Sequence, residues 1–133
     1  MFESIAQANA VNDARRTAYN SGTLRFYTGA RPANVAAGVS GTLLGSLALA
    51  STAFGASSNR IITAGTVTQD SSADATGTIG YAACFASDGT TLVSLHSCGV
   101  SGSGAECIVN SLSVTSGQPI SCSSFTITQP DGS

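Results

Sequence analysis

The chain has 133 residues and a formal charge of −2, and Ser, Thr, Ala and Gly make up more than half of it. That length fits one domain, and its basic residues, five Arg and no Lys, are too few for a surface that tracks nucleic-acid phosphates, each of which wants its own cation. Groups that ionise, ligate or attack are sparse, with His96 the only histidine, so a structural or binding role is expected ahead of catalysis.

Residues 2–19 read as a helix or an adaptable arm. Phe2, Ile5, Asn9 and Asp13 mark one helical row, Ala6, Ala10, Ala14 and Ala18 the next, and Asn20-Ser21-Gly22 supplies a stop. So small an apolar face does not recover the cost of helix nucleation in water, and the arm needs something to lie against. Met1 to Asn20 has no basic start followed by an apolar run, so it is not read as a secretory signal, and synthesis in the cytosol is expected. The chain thus divides into an arm, residues 1–22, and a β domain, residues 23–133.

From Thr23 the period changes to two. Leu24, Phe26 and Thr28 alternate with Arg25, Tyr27 and Gly29 until Arg31-Pro32 ends the strand. Thr42 to Leu49 and Asn59 to Thr68 read as further strands, followed by a polar loop, Asp70 to Asp74. The uncharged stretch between Arg31 and Arg60 contains Gly41-Thr42-Leu43-Leu44-Gly45, a spacing known from membrane helix pairs, but Asn34, Ser40, Thr42, Ser46, Ser51 and Thr52 interrupt it. Two buried strands are expected there, and no membrane partner. Thr76 to Ala86 is the next strand, with Ile79, Tyr81, Ala83 and Phe85 on one face, and Asp88-Gly89 turns it into its partner, Thr91 to Ser97. A Gly/Ser connection over 99–104, a strand over Glu106 to Val114, a turn at Gly117-Gln118-Pro119 and a strand over Ile120 to Thr128 complete the chain. In the last strand Ile120 and Cys122 share one parity and Phe125 and Ile127 the other, so all four face the core only if a bulge sits near Ser123-Ser124. Roughly seven or eight strands at this spacing specify an all-β antiparallel sandwich or barrel with a short N-terminal helix or arm.

No catalytic, cofactor or metal site is expected. Asp70-x-Ser72-x-Asp74 opens like a calcium loop but has Ala75 where the glycine belongs and Tyr81 where the closing Glu belongs. His96, Cys84, Cys98 and Cys107 lack the close Cys-x-x-Cys spacing of structural zinc sites. There is no Gly-x-Ser-x-Gly elbow, and no acid has an evident reason to reach the imidazole. The four cysteines, Cys84, Cys98, Cys107 and Cys122, are expected as reduced thiols, and sequence does not choose among their pairings.

Several segments together resemble a known family. Leu24-Arg25-Phe26-Tyr27-Thr28-Gly29-Ala30-Arg31-Pro32, Gly41-Thr42-Leu43-Leu44, Ala53-Phe54-Gly55 and Ala73-Asp74-Ala75-Thr76-Gly77-Thr78 resemble the head decoration, or cement, proteins of tailed bacteriophages. The resemblance continues through Asp88-Gly89-Thr90-Thr91-Leu92-Val93, Val100-Ser101-Gly102-Ser103-Gly104 and Ser123-Ser124-Phe125-Thr126-Ile127, about residues 23–128 in all. The cysteines and the arm depart from that pattern. The resemblance implies a jelly-roll-like β-sandwich on the outer surface of a virion capsid, made in the bacterial cytoplasm. Its partners there would be the major capsid protein and neighbouring copies of itself.

With four of five Arg before residue 32, the candidate contact residues are Phe2, Ile5, Arg15, Arg16 and Tyr19 from the arm and Arg25 and Arg31 from the first strand and its loop. Two alternatives remain: a tail-fibre or baseplate module that binds glycans through its loops, and a head-tail connector or tail component. The first lacks aromatic platforms, because Trp is absent and only three Tyr are present. The second differs in copy number.

Overall fold

The computed structural model of the chain describes residues 4–33, 35–58, 61–65 and 67–128, apart from the side chains of Ala8, Asn12, Arg15 and Thr128. The arm is the helix α1, Ile5–Arg16, which runs into a 3-10 turn, Thr17–Tyr19. Ser4 caps α1 by accepting the Gln7 amide at 3.1 Å, the position from which a serine satisfies one of the orphan donors of the first turn.

Eleven short strands follow among the described residues: β1 (Thr23–Tyr27), β2 (Leu43–Leu49), β3 (Ile61–Thr63), β4 (Val67–Thr68), β5 (Gly77–Thr78), β6 (Tyr81–Phe85), β7 (Leu92–His96), β8 (Cys98–Gly99), β9 (Cys107–Val109), β10 (Ser113–Val114) and β11 (Cys122–Thr128). They form a five-stranded sheet in the order β4-β2-β1-β6-β7, a four-stranded sheet in the order β3-β11-β9-β8 and the pair β10-β5. Every pairing is antiparallel except β8 with β9. The fold is therefore all-β and sandwich-like, with one short N-terminal helix.

The main core draws Leu24 and Phe26 from β1, Leu44 and Leu47 from β2, Ala82 and Cys84 from β6, Cys107 and Val109 from β9, and Phe125 and Ile127 from β11. It lies between the two large sheets, and each fully buried aromatic or aliphatic side chain contributes roughly 1.5–3 kcal/mol. A second, smaller cluster, Tyr27, Tyr81, Ala83 and Phe85, sits on the other face of the five-stranded sheet. The segment 30–42 holds on to this face, because the Tyr81 hydroxyl donates to the Ser40 carbonyl at 2.7 Å and accepts the Ser40 amide at 2.8 Å. Central β6 is thus buried on both faces, which is why Tyr81-Ala82-Ala83-Cys84-Phe85 reads as an unbroken apolar run.

The bulge required by the parity of the last strand is present: the β11–β9 register shifts between Cys122 and Ser124, and Ile120, Phe125 and Ile127 are all buried. Four expectations are corrected. The run from 106 to 114 divides, β9 joining the four-stranded sheet and β10 pairing with β5, one of the divisions that raise the strand count from the expected seven or eight to eleven among the described residues. The run from 61 to 68 divides, β3 joining the four-stranded sheet and β4 the five-stranded one, so the chain crosses between sheets there; residues 59, 60 and 66 lie outside the described residues. The run from 76 to 86 also divides, and Ile79 joins the main core while Tyr81, Ala83 and Phe85 join the outer cluster. Between them the Gly80 amide donates to the Tyr27 carbonyl at 2.8 Å, and a Cβ on Gly80 would stand 1.7 Å from the Gly29 carbonyl oxygen. The described residues between 32 and 58 hold one strand, β2, rather than two, because Phe54 makes only an isolated bridge to Ala64.

Candidate functional site

The arm finds its support on its own chain. The Asp13 carboxylate accepts the Ser57 amide at 2.7 Å, the Asn9 side-chain oxygen accepts the Ser57 hydroxyl at 2.9 Å, and the Asn20 side-chain oxygen accepts the Ala53 amide at 3.0 Å. Arg16 donates to the Phe54 carbonyl at 3.4 Å and faces Asp13 at 3.5 Å. These contacts set the arm along residues 53–58 and carry Tyr19 into the core, where 3% of its surface remains exposed.

Around Tyr19 a polar chain crosses from the arm to the far sheet. The Tyr19 hydroxyl lies 2.8 Å from Ser94 Oγ, Ser94 Oγ lies 2.6 Å from His96 Nε2, and His96 Nδ1 lies 3.1 Å from Glu106 Oε2. Ser94 and His96 share one face of β7 by the alternation of a strand. Glu106 arrives from the parallel β8–β9 link, where the Glu106 amide donates to Ser97 Oγ and the Cys107 amide to the Ser97 carbonyl, each at 3.1 Å. An aromatic chain closes the same circuit from behind: Tyr19 on Phe54 at 5.1 Å, Phe54 on Phe125 at 5.3 Å and His96 on Phe125 at 4.8 Å, all edge to face. A cavity of about 360 Å³ opens beside it, with Tyr19, Ser94, His96 and Glu106 as its polar wall and Val93 and Ile127 among its apolar one.

An acid therefore does reach the imidazole, contrary to the reading of the sequence. The order serine, histidine, glutamate is that of a nucleophile, base and orienting acid, and the same hydrogen bonds join the arm to the sheets. Donation runs from the Tyr19 O–H to Ser94, from the Ser94 O–H to His96 Nε2 and from His96 Nδ1–H to Glu106, the tautomer that satisfies every member. The chain acts as a latch that ties the arm to both sheets.

Burial pushes the Glu106 carboxyl up, but its hydrogen bond and charge interaction with His96, the Ser97 backbone and the Arg31 guanidinium outweigh that and hold it below the usual range. Burial pushes the Cys84 thiol well up. At the β6–β7 turn, hydrogen bonds from the Thr91 side chain and from the Thr91 and Thr90 amides pull the Asp88 carboxyl down to about 2.

The sequence candidates fare unequally. Phe2 lies outside the described residues, as does the Arg15 side chain. Tyr19 is built into the core, and Arg16 is turned back onto Phe54. Arg25 lies over the Phe85 ring, 4.3 Å from its centroid, and donates to the Gly89 carbonyl at 3.0 Å. Ile5, 48% exposed, and Arg31 remain on the surface, as do four aliphatic residues that sequence reasoning did not single out for contact, Val35 at 41%, Val39 at 37%, Ile61 at 36% and Val100 at 43%. No described helix is long and apolar enough to cross a membrane. Set against protein-family models, curated proteins and solved structures, the chain finds no match in any of the three.

Proposed function

We propose that the chain is a structural virion protein, a decoration or cement protein that binds the outer surface of a tailed-phage capsid and stabilises contacts between major capsid protein subunits and neighbouring copies of itself. The observation that carries this reading is the fate of the aromatic rings: Tyr19, Phe26, Tyr27, Phe54, Tyr81, Phe85 and Phe125, all those described, are buried. A glycan-binding tail-fibre module needs an exposed ring beside polar groups, so the burial favours contact surface over recognition site. The segments that resemble the decoration family fall on β1, β2, β5, β7 and β11 and on the turns between strands, so they build the scaffold and leave adhesion to the surface around it.

Adhesion of this kind rests on repetition. Many copies, each holding two neighbours with modest affinity, resist internal pressure together. Gel densitometry of purified particles against the major capsid protein tests the assignment. Near one copy per shell subunit or per shell symmetry element is expected. A count of about a dozen, the number a closed ring at a portal uses, would assign the chain to the connector or tail instead.

A further inference from the structure

Four cysteines converge where β8, β9 and β11 meet β6, and one pair of sulfurs is in contact: Cys107 Sγ and Cys122 Sγ are 3.3 Å apart. Cys107 is fully buried in β9 and Cys122 is half-buried at the start of β11. The bulge makes the pairing, because β11 carries Cys122 opposite Val109 and Phe125 opposite Cys107, which leaves the two cysteines as diagonal neighbours across the ladder. Closing that contact to the ~2.05 Å of a disulfide needs the two sulfurs to approach by roughly 1.2 Å.

We infer that Cys107 and Cys122 are a modification site, an intrachain disulfide that closes when the folded protein meets a low-molecular-weight disulfide oxidant such as oxidised glutathione. The half-buried Cys122 thiolate attacks one sulfur of the oxidant, breaks its S–S bond and releases one thiolate. Cys107, as thiolate, then attacks the Cys122 sulfur of the mixed disulfide and expels the second. The two cysteine protons leave with the released groups as two thiols, so two electrons pass from the protein to the oxidant and one S–S bond replaces another. Contact with Cys122 pulls the Cys107 thiol down, but contact with Cys98, burial and the neighbouring sulfurs push it up further, and contact with Cys107 and burial push Cys122 up. Closure is accordingly slow at neutral pH and faster in alkali, where the thiolate fraction grows.

The bond would fasten β11, the one strand that pairs with both β3 and β9, to its neighbour across a separation of 15 residues. A loop of about that size gives a substantial entropic gain, read here as a rise in Tm of roughly 10 °C.

The experiment treats the full-length protein with oxidised glutathione at pH 8, alkylates the remaining thiols under denaturing conditions and maps peptides by mass spectrometry. A Cys107–Cys122 crosslinked peptide with an intact-mass loss of two hydrogens, retained in Cys98→Ser and absent in Cys122→Ser, is the expected result. Full alkylation of all four cysteines, a crosslink from Cys98 to Cys107, or chains joined to one another on a non-reducing gel would each overturn the inference. The mapping of the unaltered protein stands whether or not either variant folds.

Discussion

Ser94 is the residue on which the arm's attachment turns. Replacing it with Ala takes the hydrogen-bond partner from the buried His96 Nε2 and sets an apolar methyl against the Tyr19 hydroxyl. Orphaning such groups costs about 1–3 kcal/mol, so Ser94→Ala is expected to lower the unfolding free energy by that amount in urea titration. A loss under about 0.3 kcal/mol would mean that the latch contributes only geometry. Glu106 gives the same network a pH dependence. Its carboxyl sits below the ordinary value of 4.5 in the fold, so the stability it supplies is present above pH 4.5 and is lost as the pH falls through the folded value. Because the side chain is 37% exposed, solvent screening limits the effect to under about 1 kcal/mol. Glu106→Gln should therefore be less stable than the unaltered chain at pH 7 and converge with it below pH 4. A Tm difference that stays constant from pH 3 to pH 7 would exclude the carboxylate as its source.

At the scale of elements, the places where strands break matter more than the strands themselves. Gly80 separates β5 from β6 because the Gly29 backbone passes where a side chain would begin, so Gly80→Ala must push one backbone off another. The expected loss is about 3 kcal/mol or more. Gly65→Ala, at a position with open space around it and no positive φ, should fall within about 0.5 kcal/mol of the unaltered chain. Equal effects of the two substitutions would deny the close approach its role. The same break explains what the sequence made legible and what it did not. Strand β1, the β6–β7 hairpin and the bulge in β11 follow from alternation, from Asp88-Gly89 and from the parity change at Ser123-Ser124, all local signals. The helix start carries a local mark as well, the capping pattern Ser4-x-x-Gln7. Ile79 could not be placed, since Gly80 carries no mark of the carbonyl that approaches it. Ser94-x-His96 has the spacing of one strand face, yet nothing local announces that Glu106 and Tyr19 will meet it, because both are brought there by pairings distant in sequence.

For the molecule as a whole, the consumption of polar groups inside the fold determines what kind of partner the surface can hold. Of the five Arg, Arg16 answers Asp13 and the Phe54 carbonyl, and Arg25 lies against Phe85. Both turn inward, while Ile5, Val35 and Val39 present aliphatic surface beside the exposed Arg31. The proposed association with a capsid should then depend on apolar burial, which salt does not screen, rather than on ion pairs, which it does. Rebinding to shells stripped of the protein is expected to persist when ionic strength rises from roughly 0.05 M to 0.5 M, where the Debye length shrinks well below the ~10 Å of dilute buffer. Val39→Asp, at a surface position that supports no part of either core, should reduce occupancy on such shells at least tenfold while leaving Tm within about 2 °C, because surface substitutions of this kind cost little in the free protein and a desolvated, unpaired charge costs much at an interface. Occupancy that collapses in high salt but tolerates Val39→Asp would move the contact to Arg31 and the arm. Tolerance of both would place it on a surface away from residues 31–39 altogether.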